Sequence, residues 1–294
     1  MLSERRADAV ILWAPAKVNL FLEVLAKRAD GYHEIATLLV AVSLYDILEF
    51  KEDPSGDIRL LTDHPTLSTG SDNLVRRAAD LLRQSTGSKR GAAIRLSKRI
   101  PMAAGLAGGS SDAAATLSGL NRLWQLGLAA RDLASLGAEL GSDVPFFFAT
   151  PAAWCTGRGE QVATQPMVTP LWFVLVCPQA GVATADVYRG VTVPEHPQDG
   201  EVIRRALTEG NIEALGRGLH NRLEPVAEQL CPVVADLRAR LERLGPAGQR
   251  MSGSGSSVFA LCRDHAEALR IAREIRHGLD EGVRVQVYVV RSCI

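Results

Sequence analysis

The sequence predicts an α+β protein, and three observations carry that prediction. Runs rich in β-formers are concentrated between residues 10 and 61. Helical periodicity dominates afterwards, with strands returning singly. Between the two regimes a strand leads into a glycine-rich loop and then into an Ala-rich helix. A chain of 294 residues accommodates one large domain or two ordinary ones.

The elements follow in order. Val10–Trp13 is a short apolar strand, and Val18–Leu25 is a second whose apolar pattern is broken by Asn19 and Glu23. Asp30-Gly31 is a turn signal ahead of a long strand over Ile35–Phe50, and Asp57–Leu61 forms a further strand. Asp72-Asn73 caps a helix carrying Leu74, Val75, Ala78, Ala79, Leu81 and Leu82, which ends near Gly87. Ala92–Leu96 returns to strand. After the glycine loop come helices over Ser110–Trp124 and Arg131–Leu140, the latter stopped by Gly141. Leu171–Cys177 is a near-continuous apolar strand. Short helices are expected at 185–190, 201–209, 211–219 and 222–243. Ser257–Cys262 is a strand, His265–Gly278 an amphipathic helix and Val283–Val290 a closing strand. Breaks at Thr150-Pro151 and Thr164–Pro166 suggest two domains, 1–163 and 164–294.

Composition narrows the function. The 33 basic and 33 acidic side chains cancel, which argues against a nucleic-acid polymer as partner. A small anionic ligand needs only local charge. Lys98-Arg99, ahead of the glycine loop, is such a cluster or else a solvated strand end. The five cysteines show neither a CxxC pair nor a zinc spacing, so reduced thiols and a cytoplasmic location are expected, with no metal site of that kind. No secretory leader is read at the N-terminus. The longest apolar run, Ile35–Tyr45, is too short to span a bilayer.

The chemistry concentrates in Pro101-Met-Ala-Ala-Gly-Leu-Ala-Gly-Gly-Ser-Ser-Asp112. Gly105, Gly108 and Gly109 allow backbone conformations that a Cβ forbids, so successive N–H groups can converge on an anion. The helix that follows adds its unsatisfied N–H groups and the positive end of its dipole. Ser110 and Ser111 supply hydroxyls able to reach phosphate oxygens or a magnesium ion. No Gly-Lys-Ser/Thr occurs and the dinucleotide spacing is absent, so this is neither a P-loop nor a Rossmann fingerprint.

The pattern Pro-x-x-x-Gly-Leu-x-Gly-Gly-Ser-Ser resembles the phosphate-binding motif of the GHMP kinases, which act on galactose, homoserine, mevalonate and phosphomevalonate. Ala14–Leu20 resembles the N-terminal motif of that family, and Met251–Ser257 its third, glycine-rich motif. Arg28–Glu34 and Leu140–Phe147 resemble a subgroup that phosphorylates the 2-hydroxyl of a cytidine-diphosphate-linked methylerythritol in the non-mevalonate route to isoprenoid precursors. The resemblance implies a two-domain fold with the active site in the cleft between domains, and ATP with Mg2+ as the phosphoryl source.

It also implies roles. Asp143 matches the family's catalytic aspartate and Lys17 its lysine; from residues alone, Asp143 between Ser142 and Val144-Pro145 reads as a turn residue. Pro101, Gly105, Leu106, Ala107, Gly108, Gly109, Ser110 and Ser111 would bind ATP phosphates, with Lys98 as a further contact and Asn73 near the adenine. Asn19, Tyr32, His33, Tyr188, Gly253 and Ser254 would line the acceptor site. Ser110 or Ser111 would touch the metal, with no carboxylate cage. Two alternatives remain: a GHMP kinase with a different acceptor, and a ligand-sensing member without catalysis. Lys17 and Asp143 together argue against the second.

Overall fold

The computed structural model describes residues 1–5, 8–278 and 284–293. The chain forms two compact units that alternate along the sequence. The first takes Met1–Ala16, Leu44–Ile100 and Ala107–Thr150; the second takes Lys17–Ser43, Pro101–Leu106 and Pro151–Ile294. A single division at residues 163 and 164 does not describe them. Two long strands are the reason: β2 (Ala9–Lys27) and β3 (His33–Asp53), which follow a short β1 (Leu2–Arg5), each contribute to both units.

In the first unit, β1 (Leu2–Arg5) runs antiparallel to the start of β2, with Leu2 opposite Trp13. The end of β3 pairs antiparallel with β5 (Gly91–Ser97), and β4 (Ile58–Thr62) lies parallel to β5. Three helices follow: α1 (Leu74–Thr86), α2 (Gly108–Leu123) and α3 (Ala130–Leu140), with a 3-10 turn at Pro145–Phe148. The small residues of α2 allow close packing. A Cβ on Gly119 would stand 2.4 Å from the buried Phe50 ring of β3. This contact seats α2, and with it the glycine loop, against the sheet.

In the second unit, the start of β3 pairs with β6 (Ala152–Thr156), which pairs with β7 (Gln161–Thr164); both pairings are antiparallel. A second, wholly antiparallel sheet has the order β10-β11-β8-β12, formed by Gly248–Met251, Val258–Cys262, Trp172–Pro178 and Val285–Arg291. The two-residue β9 (His220–Asn221) lies parallel to β2. Helices α4 (Thr184–Gly190), α5 (Glu201–Glu209), α6 (Ile212–Gly218), α7 (Glu224–Leu230), α8 (Val233–Arg243) and α9 (His265–His277) complete the unit. Its core joins Val174 and Val176 of β8 to Leu237 and Leu241 of α8 and to Ile271 and Ile275 of α9.

The α+β class holds, with differences in detail. The two strands expected over 10–25 are one continuous β2, which passes through Pro15. Strands β1, β6, β7, β9 and β10 were not expected; they are only two to five residues long, too short to show a period. The helix expected over 222–243 divides at Cys231-Pro232, because proline offers no N–H and disfavours helix in the residue before it. Val283, the expected start of the last strand, lies outside the described residues.

Replacing Gly119 by Val should overpack the Phe50 contact and cost about 1–3 kcal/mol. Thermal unfolding of the variant should show a clearly lowered midpoint. An unchanged midpoint would mean that α2 is not seated by this contact.

Candidate active site

Lys17 sits on β2 almost wholly buried, 3% exposed. A buried ammonium needs partners. Its Nζ donates to Asn19 Oδ1 (2.6 Å) and to the carbonyl oxygen of Gly105 (2.7 Å). Asn19 lies two residues along the strand, hence on the same face, and its Nδ2 donates to Thr37 Oγ1 (2.9 Å). Ser252 Oγ donates to the same Gly105 oxygen (3.0 Å) and accepts from the Asn19 N–H (3.3 Å). The Lys17 N–H donates to Leu106 O (3.1 Å). The strand motif, the segment Pro101–Leu106 and the Met251–Ser257 motif are thus one hydrogen-bonded cluster.

Glycine is required where these segments meet. Gly105 has φ +73°, and a Cβ there would stand 2.0 Å from Ser252 O. Gly253 has φ +58°, and its Cβ would stand 3.0 Å from Lys17 Nζ. Ser257 N donates to Ala104 O (3.3 Å). Ser254 Oγ lies 2.8 Å from Thr184 Oγ1 at the start of α4.

One turn along α4, Tyr188 stacks on His33, with centroids 5.3 Å apart and planes at 26°. The tight turn Arg28–Tyr32, with Gly31 at φ +86°, presents this pair. Burial pulls the His33 imidazole below its ordinary value and Lys27 adds to the effect. The neutral imidazole is thereby favoured, in which one ring nitrogen is able to donate and the other to accept. Tyr32 points elsewhere: it is 53% exposed, and the Arg158 guanidinium lies 4.7 Å over its ring.

In the first unit the chain enters α2 through Ala107, in the left-handed region at φ 54°. Three other helices are closed at this end by a side chain: α1 by Asn73, α6 by Asn211 and α9 by Asp264. No side chain caps α2, as none caps α4, α5, α7 or α8; what sets α2 apart is the glycine pair at its first two positions. Its first N–H groups belong to Gly108, Gly109 and Ser110, and they are left for a ligand or solvent. Ser111 Oγ is fully buried, with no hydrogen-bond partner among the described residues.

Gly108 has no room for a side chain. Its Cβ would stand 2.9 Å from Lys98 Nζ and 3.0 Å from Ile100 Cγ2. Lys98 does not present a free cation to the loop surface; its ammonium binds Asp46 Oδ2 and Asp112 Oδ2, the latter at 2.8 Å. Burial acts against that ammonium, but Asp112 and Asp46 outweigh it and raise its pKa. Burial pushes Asp112 up to about 7 against the pull of Lys98. Asn73 spends its side chain on the cap, accepting from Val75 N (2.8 Å) and donating to Ser68 O (2.6 Å).

Asp143 is half-buried in the turn between α3 and the 3-10 turn. That turn lies beside α2: a Cβ on Gly141 would stand 3.9 Å from Ser110 Oγ. Four residues with evident roles in these clusters, Thr37, Asp46, Asp112 and Ser252, escaped the sequence reading. Asp112 and Ser252 lie inside motifs that were recognised. A lone acid in an apolar strand was the available signal for Asp46.

The GHMP kinases N terminal domain model matches residues 73–150 and the GHMP kinases C terminal model residues 203–281. The chain belongs to the GHMP kinase family. A 4-diphosphocytidyl-2-C-methyl-D-erythritol kinase of Shouchella clausii is 42% identical over 280 residues, 95% of this chain and 92% of the relative. One of Pelotomaculum thermopropionicum is 43% identical over 92% of this chain and 95% of the relative. A crystal structure of 4-(cytidine 5'-diphospho)-2C-methyl-D-erythritol kinase superposes with TM-score 0.80 at 36% identity, covering 97% of this chain and 100% of that one. A homoserine kinase of Cytophaga hutchinsonii shares the fold, with TM-score 0.78 at 21% identity over 100% of this chain and 97% of that one. Among the described residues, no helix is long and apolar enough to cross a membrane.

Gly105→Ala should force the Met251–Ser257 segment away from Gly105 and strain the backbone, costing about 1–3 kcal/mol. Hydrogen exchange at the Ser257 amide should quicken in the variant. Unchanged protection would mean that the two segments tolerate a Cβ between them.

Proposed function

We propose that this chain transfers the γ-phosphoryl group of ATP to the 2-hydroxyl of 4-diphosphocytidyl-2-C-methyl-D-erythritol, a step of isoprenoid precursor synthesis. The observation that carries the reading is the uncapped start of α2 behind a loop in which Gly108 and Gly105 admit no Cβ. Such an end is a seat for phosphate. The named relatives, alike over nearly the whole chain, support the choice of acceptor. The five cysteines are free thiols, which fits a cytoplasmic enzyme.

Phosphoryl transfer asks the protein mainly for positioning and for charge stabilisation. The N–H groups of Gly108, Gly109 and Ser110 hold the phosphates. Asp143 accepts the proton of the acceptor hydroxyl as its oxygen bonds to phosphorus and the bond to ADP breaks. Lys17, fixed by Asn19 and Gly105, supplies positive charge for the developing oxyanion. Mg2+, when bound, offsets charge on the nucleotide phosphates. The hard oxygens of Ser110 and Ser111 suit it, and the orphaned Ser111 hydroxyl fits such a role. His33 and Tyr188 receive the cytosine; its amino donor and adjacent ring-nitrogen acceptor are met by one imidazole nitrogen of His33 together with backbone N–H and C=O groups of its turn.

A coupled ADP-release assay across the cytidine diphosphate acceptor, homoserine and mevalonate tests the reading. Turnover should appear with the first alone, and turnover confined to either of the others would overturn it. Asp143→Asn should keep the fold and ATP binding while kcat falls by about 10²–10⁴. Near-normal turnover would return Asp143 to a turn residue. A uridine analogue of the acceptor would leave polar groups unpaired at roughly 1–3 kcal/mol each. Its kcat/KM should be about tenfold to a few hundredfold lower; equal values would show that the base is not read.

A further inference from the structure

We infer that Lys98 is a positioning residue: with Asp46 and Asp112 it forms a buried ionic clamp that closes the phosphate loop at both ends. The inference rests on the reading of α2 as the ATP phosphate seat. All three side chains are secluded, Lys98 being 4% exposed, Asp46 0% and Asp112 3%. Asp46 comes from β3. Its Oδ1 accepts from the backbone N–H groups of Arg99 (2.6 Å) and Ile100 (2.9 Å), and its Oδ2 from the Lys98 ammonium. One carboxylate thereby fixes the three residues that lead into the loop.

The same ammonium reaches the far end. It donates to Asp112 Oδ2 (2.8 Å) in α2 and stands 2.9 Å from where a Gly108 Cβ would lie. The N–H of Lys98 is also held, by Asp63 Oδ1 (2.9 Å). Entry and exit of the loop are therefore joined through one nitrogen beneath the first turn of α2. An ammonium so engaged serves phosphate by holding the N–H groups still, since a direct contact would require leaving a buried carboxylate uncompensated. Pre-ordering the donors in this way lowers the ordering cost that ATP would otherwise meet.

The test is calorimetric titration of a non-hydrolysable ATP analogue into the full chain and its variants, each first shown to be folded by thermal unfolding. Asp112→Leu and Lys98→Met should each weaken binding about tenfold or more, and the double variant should be no weaker than the worse single one. Asp112→Asn retains an oxygen acceptor for the ammonium and should bind nearly as the parent does. In kinetics, KM for ATP should rise in Asp112→Leu while KM for the acceptor stays put. If Lys98 instead ligates phosphate, Asp112→Leu releases it and affinity holds or improves, which overturns the clamp. Should Lys98→Met fail to fold, the contrast between Asp112→Leu and Asp112→Asn decides alone. Gly109→Asp separates the premise, since its carboxylate would repel phosphate at the start of α2. Affinity retained there removes the phosphate seat and the clamp with it. Affinity lost there, with Asp112→Leu unaffected, removes the clamp only.

Discussion

The backbone N–H groups at the start of α2 have no partner within their helix, and that unmet demand organises everything around them. A side-chain cap would take one of them from a ligand, as Asn73 takes the Val75 N–H of α1 and Asp264 the Glu267 N–H of α9. Ala107 cannot act as a cap. Keeping donors available requires the neighbouring chain to be held by other means. In the first unit, Asp46 holds residues 99 and 100, and Phe50 receives the glycine face of α2. In the second, Ser252 and Lys17 share the carbonyl of Gly105.

The face of β2 carrying Lys17, Asn19 and Glu23 shows how a buried polar row is made tolerable. Each member has partners supplied from far along the chain. Asn19 is held by Thr37 and Ser252. Glu23, fully buried, accepts two bonds from Arg222 at 2.7 and 2.8 Å and lies 3.1 Å from His220 Nε2. Burial pushes the Glu23 carboxyl up, but Arg222 and the backbone donors outweigh it, so its pKa is lowered and it stays ionised. Unpaired, any of these groups would cost several kcal/mol. The strand can therefore offer a lysine at a fixed position without loss of its fold.

Much of this was legible in the sequence, for identifiable reasons. The glycine loop, the helix behind it and the helix capped by Asn73 rest on local rules, and all three stand in the structure. Asn19 and Glu23 appeared only as interruptions of an apolar strand, because the groups that satisfy them lie up to 233 residues away. Lys98 read as a phosphate contact because its two carboxylates, 52 and 14 residues distant, leave no local trace. The alternation of the two compact units along the chain has no mark in composition, because strands β2 and β3 each serve both. His33 and Tyr188 were both singled out, whereas their stacking required the fold to bring α4 to the turn at Gly31.

The central claim is that ATP phosphates are taken by the N–H groups at the start of α2. Amide hydrogen exchange, with and without a saturating non-hydrolysable ATP analogue, tests it most directly. Marked slowing at Gly108, Gly109 and Ser110 is the predicted result, with the amides of Arg99 and Ile100 already slow before ligand is added. Slowing elsewhere in the chain, with these three amides unchanged, would contradict it.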